Sequence, residues 1–255
     1  LPEVRELAQK LRTEISKVLP TLLRHATPSE YQLNWRHALP KTPTSDHVLQ
    51  TRSAGAETLL IGFTGRGAED AEEEAMQVMA SAMAAQADPV NDASAFLQAA
   101  VTGLGPHDVP SVAFRWVRYD CLFVLSEAAW HQLLRHCRGM HFQWGPPEIT
   151  NGYTVPPTVA AAGLEGLLLR AVRTSERLYE ALWQEAPETA GYAVTNAHRR
   201  RVRSECDLRQ LYHLVNLRTT PQAQWDIRDA ITQLWDQVRS VHPRLAARAK
   251  RATMS

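Results

Sequence analysis

The stretch from Trp130 to Pro157, WHQLLRHCRGMHFQWGPPEITNGYTVPP, constrains this chain more than any other. Glu127 to Leu134 combines good helix formers with an apolar side at Ala128, Leu133 and Leu134, which predicts a helix. It runs into Arg135-His136-Cys137-Arg138, and Gly139 is where such a helix can stop, because glycine tolerates the left-handed turn that closes a helix. A loop dense in Gly, Pro, amide and hydroxyl residues follows, closed by Tyr153 and Pro156-Pro157. Cations at a helix C-terminus have two readings. They offset the negative end of the macrodipole, or, with a polar loop facing them, they hold an anion such as a phosphate.

Composition limits what that anion site can belong to. With 255 residues the chain can bury one large core or two small ones. Apolar residues at 44% and charged residues at 22% are those of an ordinary globular protein. A net charge of +1 excludes a polyanion binder that acts through its whole surface, so an anion role needs a local patch. Cys121, Cys137 and Cys206 lie far apart and form no CxxC, which argues for a reducing compartment, hence the cytoplasm, and against a disulfide framework or zinc site. The histidines are scattered without a metal-ligand spacing beside a carboxylate, so no metal is expected. No run is long enough to span a bilayer and no signal-peptide pattern is present, so no membrane partner is expected. The chain starts at Leu1 without Met, which reads as a fragment or a processed chain.

Along the chain, Pro2, Val4, Leu7, Leu11, Ile15, Val18 and Leu22 predict a surface helix with one buried face. Residues 25 to 56 show little periodicity and read as a linker. Leu59 to Phe63 reads as a short buried strand, and Gly62 to Gly67 as the turn after it, since its glycine spacing fits no phosphate-loop fingerprint. Helices are predicted over Asp70 to Ala85 and Val90 to Leu104, and a strand over Val109 to Val124. Leu164 to Trp183 is an amphipathic helix through Leu164, Leu167, Leu168, Ala171, Leu178 and Leu182. Helices follow from Leu208 to Leu217 and from Pro221 to Val238, with a basic, frayed tail after Pro243. Arg12-Thr13, Tyr31 and His37 recur as Arg173-Thr174, Tyr192 and His198, a weak echo hinting that the first residues are the remnant of a preceding repeat.

Two further groups of cations stand out. Asp207, Arg209, His213 and Arg218 lie in CDLRQLYHLVNLR, where Arg209 and His213 share a helix face. They either fix a phosphorylated ligand or form a solvated face. The run His198-Arg199-Arg200-Arg201-Val202-Arg203 lacks the interleaved aromatics of a nucleic-acid surface. A solvated or oligomer-lining strand is the expectation there, and nucleic acid is not the expected partner.

The segment CDLRQLYHLVNLRTTPQAQWDIR resembles the C-terminal signature of flavin-dependent thymidylate synthases, the ThyX family, roughly N-x-R-x-x-x-(H/N)-F-x-x-L-R followed by A-(Q/D)-x-E-I-R. Asp207, Arg209, His213, Leu217 and Arg218 match the first part, and Ala223, Gln224, Asp226, Ile227 and Arg228 the second. Upstream, Gln132, Arg135, His136 and the run Glu148-Ile149-Thr150-Asn151-Gly152-Tyr153 resemble the family's R-H-R-x-x-S-x-N-x-x-S-x-R-Y. The resemblance is to a divergent branch. It implies an α+β fold with a mixed sheet and long flanking helices, organised as an extension over 1–56, a flavin-binding domain over 57–243 and a tail over 244–255.

The resemblance also implies ligands and roles. Arg135, His136 and Arg209 would touch FAD, with His213 beside the flavin, Arg138 standing in for the motif's third basic residue and Asp207 at the family's asparagine. Gln132, Glu148, Thr150 and Arg218 would face a uracil-type nucleotide. FAD reduced by NADPH would deliver hydride while methylenetetrahydrofolate supplies the carbon, so no enzyme nucleophile is required. A homo-oligomer, tetramer or dimer, goes with it. A non-catalytic or repurposed flavin- or nucleotide-binding paralogue is the alternative. The sequence departs from the family at Thr150, Gly152 and Asp207, and in about five extra residues within Gly139 to Pro147. That insert, with Met140, His141, Phe142, Gln143 and Trp144, either roofs the nucleotide, Gln143 reading a base edge, or anchors itself through Phe142 and Trp144.

Overall fold

The structure, a computed structural model, describes residues 2–26, 29–31, 34, 55–84, 92–102, 104, 108–247 and 249. In chain order these form α1 (Pro2–Val18), β1 (Glu57–Phe63), α2 (Ala71–Ala84), α3 (Ala93–Val101), β2 (Arg118–Ser126), α4 (Glu127–Leu133), β3 (Met140–Trp144), α5 (Pro157–Ala161), α6 (Glu165–Glu185), β4 (Arg199–Asp207), α7 (Leu208–Arg218), α8 (Trp225–Val241) and α9 (Pro243–Ala246). Four short 3-10 helices intervene among the described residues, including Val112–Trp116, Leu134–His136 and Pro187–Ala193. Most of the expected linker over 25–56 and the chain beyond Ala249 lie outside the described residues.

The class is α+β, as expected. The sheet has the order β1-β2-β4-β3 and is antiparallel at each of its pairings, where a mixed sheet was expected. β2 and β4 pair in unbroken register from Arg118 opposite Asp207 to Ser126 opposite Arg199. Their inward positions, Tyr119, Cys121, Phe123 and Leu125 on one and Val202, Ser204 and Cys206 on the other, are buried under α4, α7 and α8. β1 is an edge strand rather than a buried one, and Leu59 is exposed. Its outer backbone is nonetheless paired. Gln233 of α8 takes the Thr58 N–H (3.0 Å) and gives to Ala56 O (2.8 Å); Gln237, one turn on, takes the Leu60 N–H (2.9 Å) and gives to Thr58 O (2.8 Å). Two side-chain amides thus stand in for a further strand and close an edge that otherwise invites aggregation. In the turn after β1, Gly65 adopts φ +83°, and a Cβ there would collide with the Ala71 carbonyl, so this turn requires glycine.

Several expectations change in three dimensions. The strand expected from Val109 starts only at Arg118; before it, Ser111 caps a 3-10 helix that buries Ala113 and Phe114. The insert after Gly139 is no loop: it forms β3, because Met140 and Phe142 pack inward while His141 and Gln143 point out. The basic run is β4, an interior strand. Its cations are largely paired, Arg199 with Glu57, Arg200 with Glu127 and Arg203 with Asp120. α1 and α6 have the predicted periodicity but not the predicted burial. No residue of α1 is buried, and along α6 only Val172, Ser175 and Tyr179 are, leaving Leu164, Leu167 and Leu178 exposed.

The tail expected to fray after Pro243 is instead docked as far as Ala249. Leu245 is fully buried, its N–H gives to Glu72 Oε1 (2.8 Å), and its carbonyl accepts from the Tyr212 hydroxyl. Arg244 Nε reaches Glu72 Oε2 at 2.9 Å. Leu245→Ala is therefore expected to cost about 2–5 kcal/mol in urea unfolding, the range for truncating a buried leucine; a change under about 0.5 kcal/mol, as for a surface position, would contradict the docking.

Candidate functional site

Two helices start without a loop from the two interior strands. β2 ends at Ser126, whose Oγ accepts the Ala129 N–H (3.1 Å) and opens α4; β4 ends at Asp207, whose carboxylate accepts the Gln210 N–H (2.7 Å) and opens α7. Because β2 and β4 are antiparallel, α4 and α7 leave opposite ends of the sheet and run past one another on the same face. Their contacts follow in reverse order. Gly139 abuts Gln210, where a Cβ would collide with the glutamine side chain. The His136 and His213 rings meet edge to face at 5.8 Å. At the far end Arg218 reaches His136 and Gln132.

Arg218 is held by neutral groups. Its Nε donates to His136 Nε2 (3.0 Å), and its Nη atoms lie 3.4 Å from Gln132 Oε1 and Gln132 O. His136 must be unprotonated at Nε2 to accept, and burial, then Arg218 and His213, push its pKa down to about 4. Arg218 in turn is lowered by burial and then by Arg135. Arg209 is half-buried and its Nε is buried without a partner. Among the described residues Arg135, Arg138, Arg209 and Arg218 have no ion-pair partner, in contrast to Arg118, Arg199, Arg200, Arg203 and Arg244. Asp207 is occupied as a helix cap. An arrangement of guanidiniums with unused donors fits the pyrophosphate of a dinucleotide such as FAD.

The fold thus brings together Gln132, His136, His213 and Arg218, with Arg135 close enough to act on Arg218. Arg209 lies one helical turn before His213 on α7, and Arg138 is exposed in the turn before β3. Glu148 faces elsewhere in this chain: it accepts from Asn151 Nδ2 (2.8 Å), and on α6 burial, then Glu148, raises the pKa of Tyr179. Thr150 is exposed on the same loop. Gln143 points to the other face of the sheet, into a groove of about 560 Å³ shared with Arg118, Asp120, His141, Arg203 and Glu205. Gln210 went unrecognised in the sequence, because nothing local marks a glutamine whose partner is a distant glycine.

Fold and site together define an α+β domain with arginines lacking carboxylate partners where two strand-launched helices meet. Residues 70–244 match the Thy1 family, Thymidylate synthase complementing protein, and the chain belongs to that family. Among curated relatives, a UPF0159 protein of Thermoplasma acidophilum is 31% identical over 135 residues, covering 52% of this chain and 27% of that protein. A flavin-dependent thymidylate synthase of Sulfolobus acidocaldarius is 29% identical over 127 residues, covering 48% and 49%. The chain therefore spans a quarter to a half of the length of these relatives. Among solved structures, a UMP/dUMP methylase, PolB, from Streptomyces cacaoi bound with 5-Br dUMP superposes with a TM-score of 0.62 at 16% identity, covering 77% of this chain and 94% of that one. ThyX from Helicobacter pylori with FAD and dUMP gives 0.55 at 16%, covering 78% and 100%. At such identity these structures show the fold. No helix among the described residues is long and apolar enough to cross a membrane.

The neutrality of His136 has a pH signature. Its free value is 6.5 and its folded value about 4, so the unfolded chain takes up the proton first. The contribution is intact above about pH 6.5 and is lost as pH falls from there toward 4. His136→Gln, which keeps an acceptor for Arg218, should lose less stability than the wild type between pH 7 and pH 4.5 in urea titrations. Some slope remains, since burial also lowers His198 and His242. Identical pH dependence in the two proteins would contradict the assignment.

Proposed function

We propose that this chain is a ThyX-like flavoprotein that reductively methylates a uracil-type nucleotide with FAD, methylenetetrahydrofolate and NADPH. The observation that carries this reading is Arg218, which has no carboxylate partner and is held by a neutral His136 and by Gln132 with Arg135 beside it, while Arg209 at the start of the same helix keeps a buried Nε without a partner. In this reading Arg135 and Arg209 hold the pyrophosphate of FAD, Arg138 adds charge at the rim, and His213 borders the flavin. Arg218 faces the nucleotide, oriented by Gln132 and by His136, which stays uncharged and so accepts rather than repels. Bound FAD would supply the hydride, and the family resemblance together with the ligands of the related structures supports FAD and a dUMP or UMP nucleotide as the ligands.

The nucleotide's phosphate is where the chain departs from its relatives' pattern. Gly152 stands at the arginine of the resembled motif and adopts φ +74°. An arginine there would be strained, so the loop is built for glycine and not for the missing charge. One lost charged hydrogen bond costs about 1.5–3 kcal/mol, roughly ten- to a hundredfold in affinity. This observation favours the second reading, a non-catalytic or repurposed paralogue that binds flavin or nucleotide without methylating. Incubation with dUMP or UMP, labelled methylenetetrahydrofolate, FAD and NADPH, followed by chromatography of the nucleotides, separates the two. Slow labelling of the base, abolished in Arg218→Ala, is expected. Binding of FAD or of nucleotide with no labelled base from either substrate would establish the paralogue, and absence of both binding events would refute both readings.

A further inference from the structure

We infer that Arg200 is the positioning residue that fixes the loop from Gly145 to Gly152, and with it Glu148 and Thr150, against α4, the helix that carries Gln132. The role assigned to that loop rests on the function proposed above; the anchoring itself rests on geometry.

Arg200 is an arginine on the inner face of an interior strand, only 7% exposed. Its Nε donates to Glu127 Oε1 (2.7 Å), its Nη1 to Gly145 O (2.7 Å), and its guanidinium carbon lies 6.0 Å from the Trp130 ring centre. Glu127 is the first residue of α4, and Trp130, one turn later, packs on Phe142 and Trp144 of β3 at 5.3 and 5.2 Å. One side chain therefore binds the start of α4, the end of β3 and its own strand. Gly145 is the point where β3 gives way to Pro146, Pro147 and Glu148. The other end of the loop is held by the neighbouring residue, since Arg199 N–H donates to Gly152 O at 2.9 Å. Consecutive residues of one strand thus hold both ends of an eight-residue loop that two prolines have already stiffened.

Stability alone does not explain such a pair, because a buried ion pair replaced by apolar groups of like volume is often as stable or more so. Direction does explain it. A guanidinium offers donors at fixed angles, so Nε and Nη1 can serve a carboxylate and a carbonyl on different elements at once, which an ammonium cannot reproduce. The five or so residues by which this chain exceeds the resembled motif between Arg138 and Glu148 would leave the loop with slack. β3 takes up that length, and Arg200 fixes its end.

The test compares wild type with Arg200→Lys, Arg200→Met and Glu127→Gln/Arg200→Met, the last removing both charges so that no uncompensated carboxylate unfolds the protein. Hydrogen exchange by mass spectrometry should show at least tenfold faster exchange in peptides covering 145–153 in the double variant, with α7 unchanged and Arg200→Lys in between. Titration with FAD and with dUMP and UMP should show nucleotide affinity falling at least tenfold and FAD affinity changing less than twofold. Unchanged exchange over 145–153 in a folded double variant would overturn the anchoring, and a freed loop with unchanged nucleotide affinity would overturn the positioning role. If wild type binds neither FAD nor nucleotide while the loop is freed as expected, the proposed function fails and the anchoring by Arg200 stands.

Discussion

The register between β2 and β4 is the constraint on which the rest depends. Ser126 opposite Arg199 and Arg118 opposite Asp207 fix where each strand ends, and each end is also the N-cap of a helix. With no loop to absorb error, the positions of α4 and α7 follow from the pairing. A slip by one residue would turn the apolar set of one strand, Phe123 and Leu125 or Val202 and Cys206, to the outer face, and it would separate His136 from Arg218. The alternation of buried side chains on the two strands therefore places the site as well as the core.

Charge is divided by the same geometry. Most arginines of the sheet find carboxylates, Arg203 with Asp120 and Arg118 with Glu205 within it and Arg200 with Glu127 at the start of α4, and so add little to any external field. On α7, by contrast, Arg218 at its end has only a neutral histidine and a glutamine, and Arg209 at its start has a buried donor with no partner. Burial and the nearby Arg135 both disfavour the charge on Arg218, the kind of perturbation that an anionic ligand would relieve. A net charge near zero for the whole chain is compatible with this, because the field is local.

What could be read from the sequence was what depends on neighbours in sequence. The helix ending at Arg135-His136 and the helix carrying Arg209, His213 and Arg218 were both legible, because caps and 3.6-residue periodicity are local signals. The resemblance to the ThyX signature named the same side chains before their distances were known. β4 was not recognised as an interior strand because Arg200 occupies one of its inward positions, neutralised by a glutamate 73 residues earlier in the chain. β3 reads as a loop in the sequence because its five residues lie between Gly139 and Gly145-Pro146, and its strand character comes from pairing with β4. For α1 and α6 the apolar stripe was correct, but periodicity says which face is apolar and not what covers it. The side on which Gln143 would lie depended on the parity of that same unrecognised strand.

The central claim is that α4 and α7 together form one flavin site, and titration of the purified chain with FAD, followed by the change in flavin absorbance and fluorescence, tests it most directly. The account predicts one FAD per chain, bound at least about tenfold more weakly by Arg209→Ala, since the low end for a charged hydrogen bond is about 1.5 kcal/mol. A wild-type chain that does not bind FAD, or an Arg209→Ala variant that binds it as well as wild type, would contradict the account.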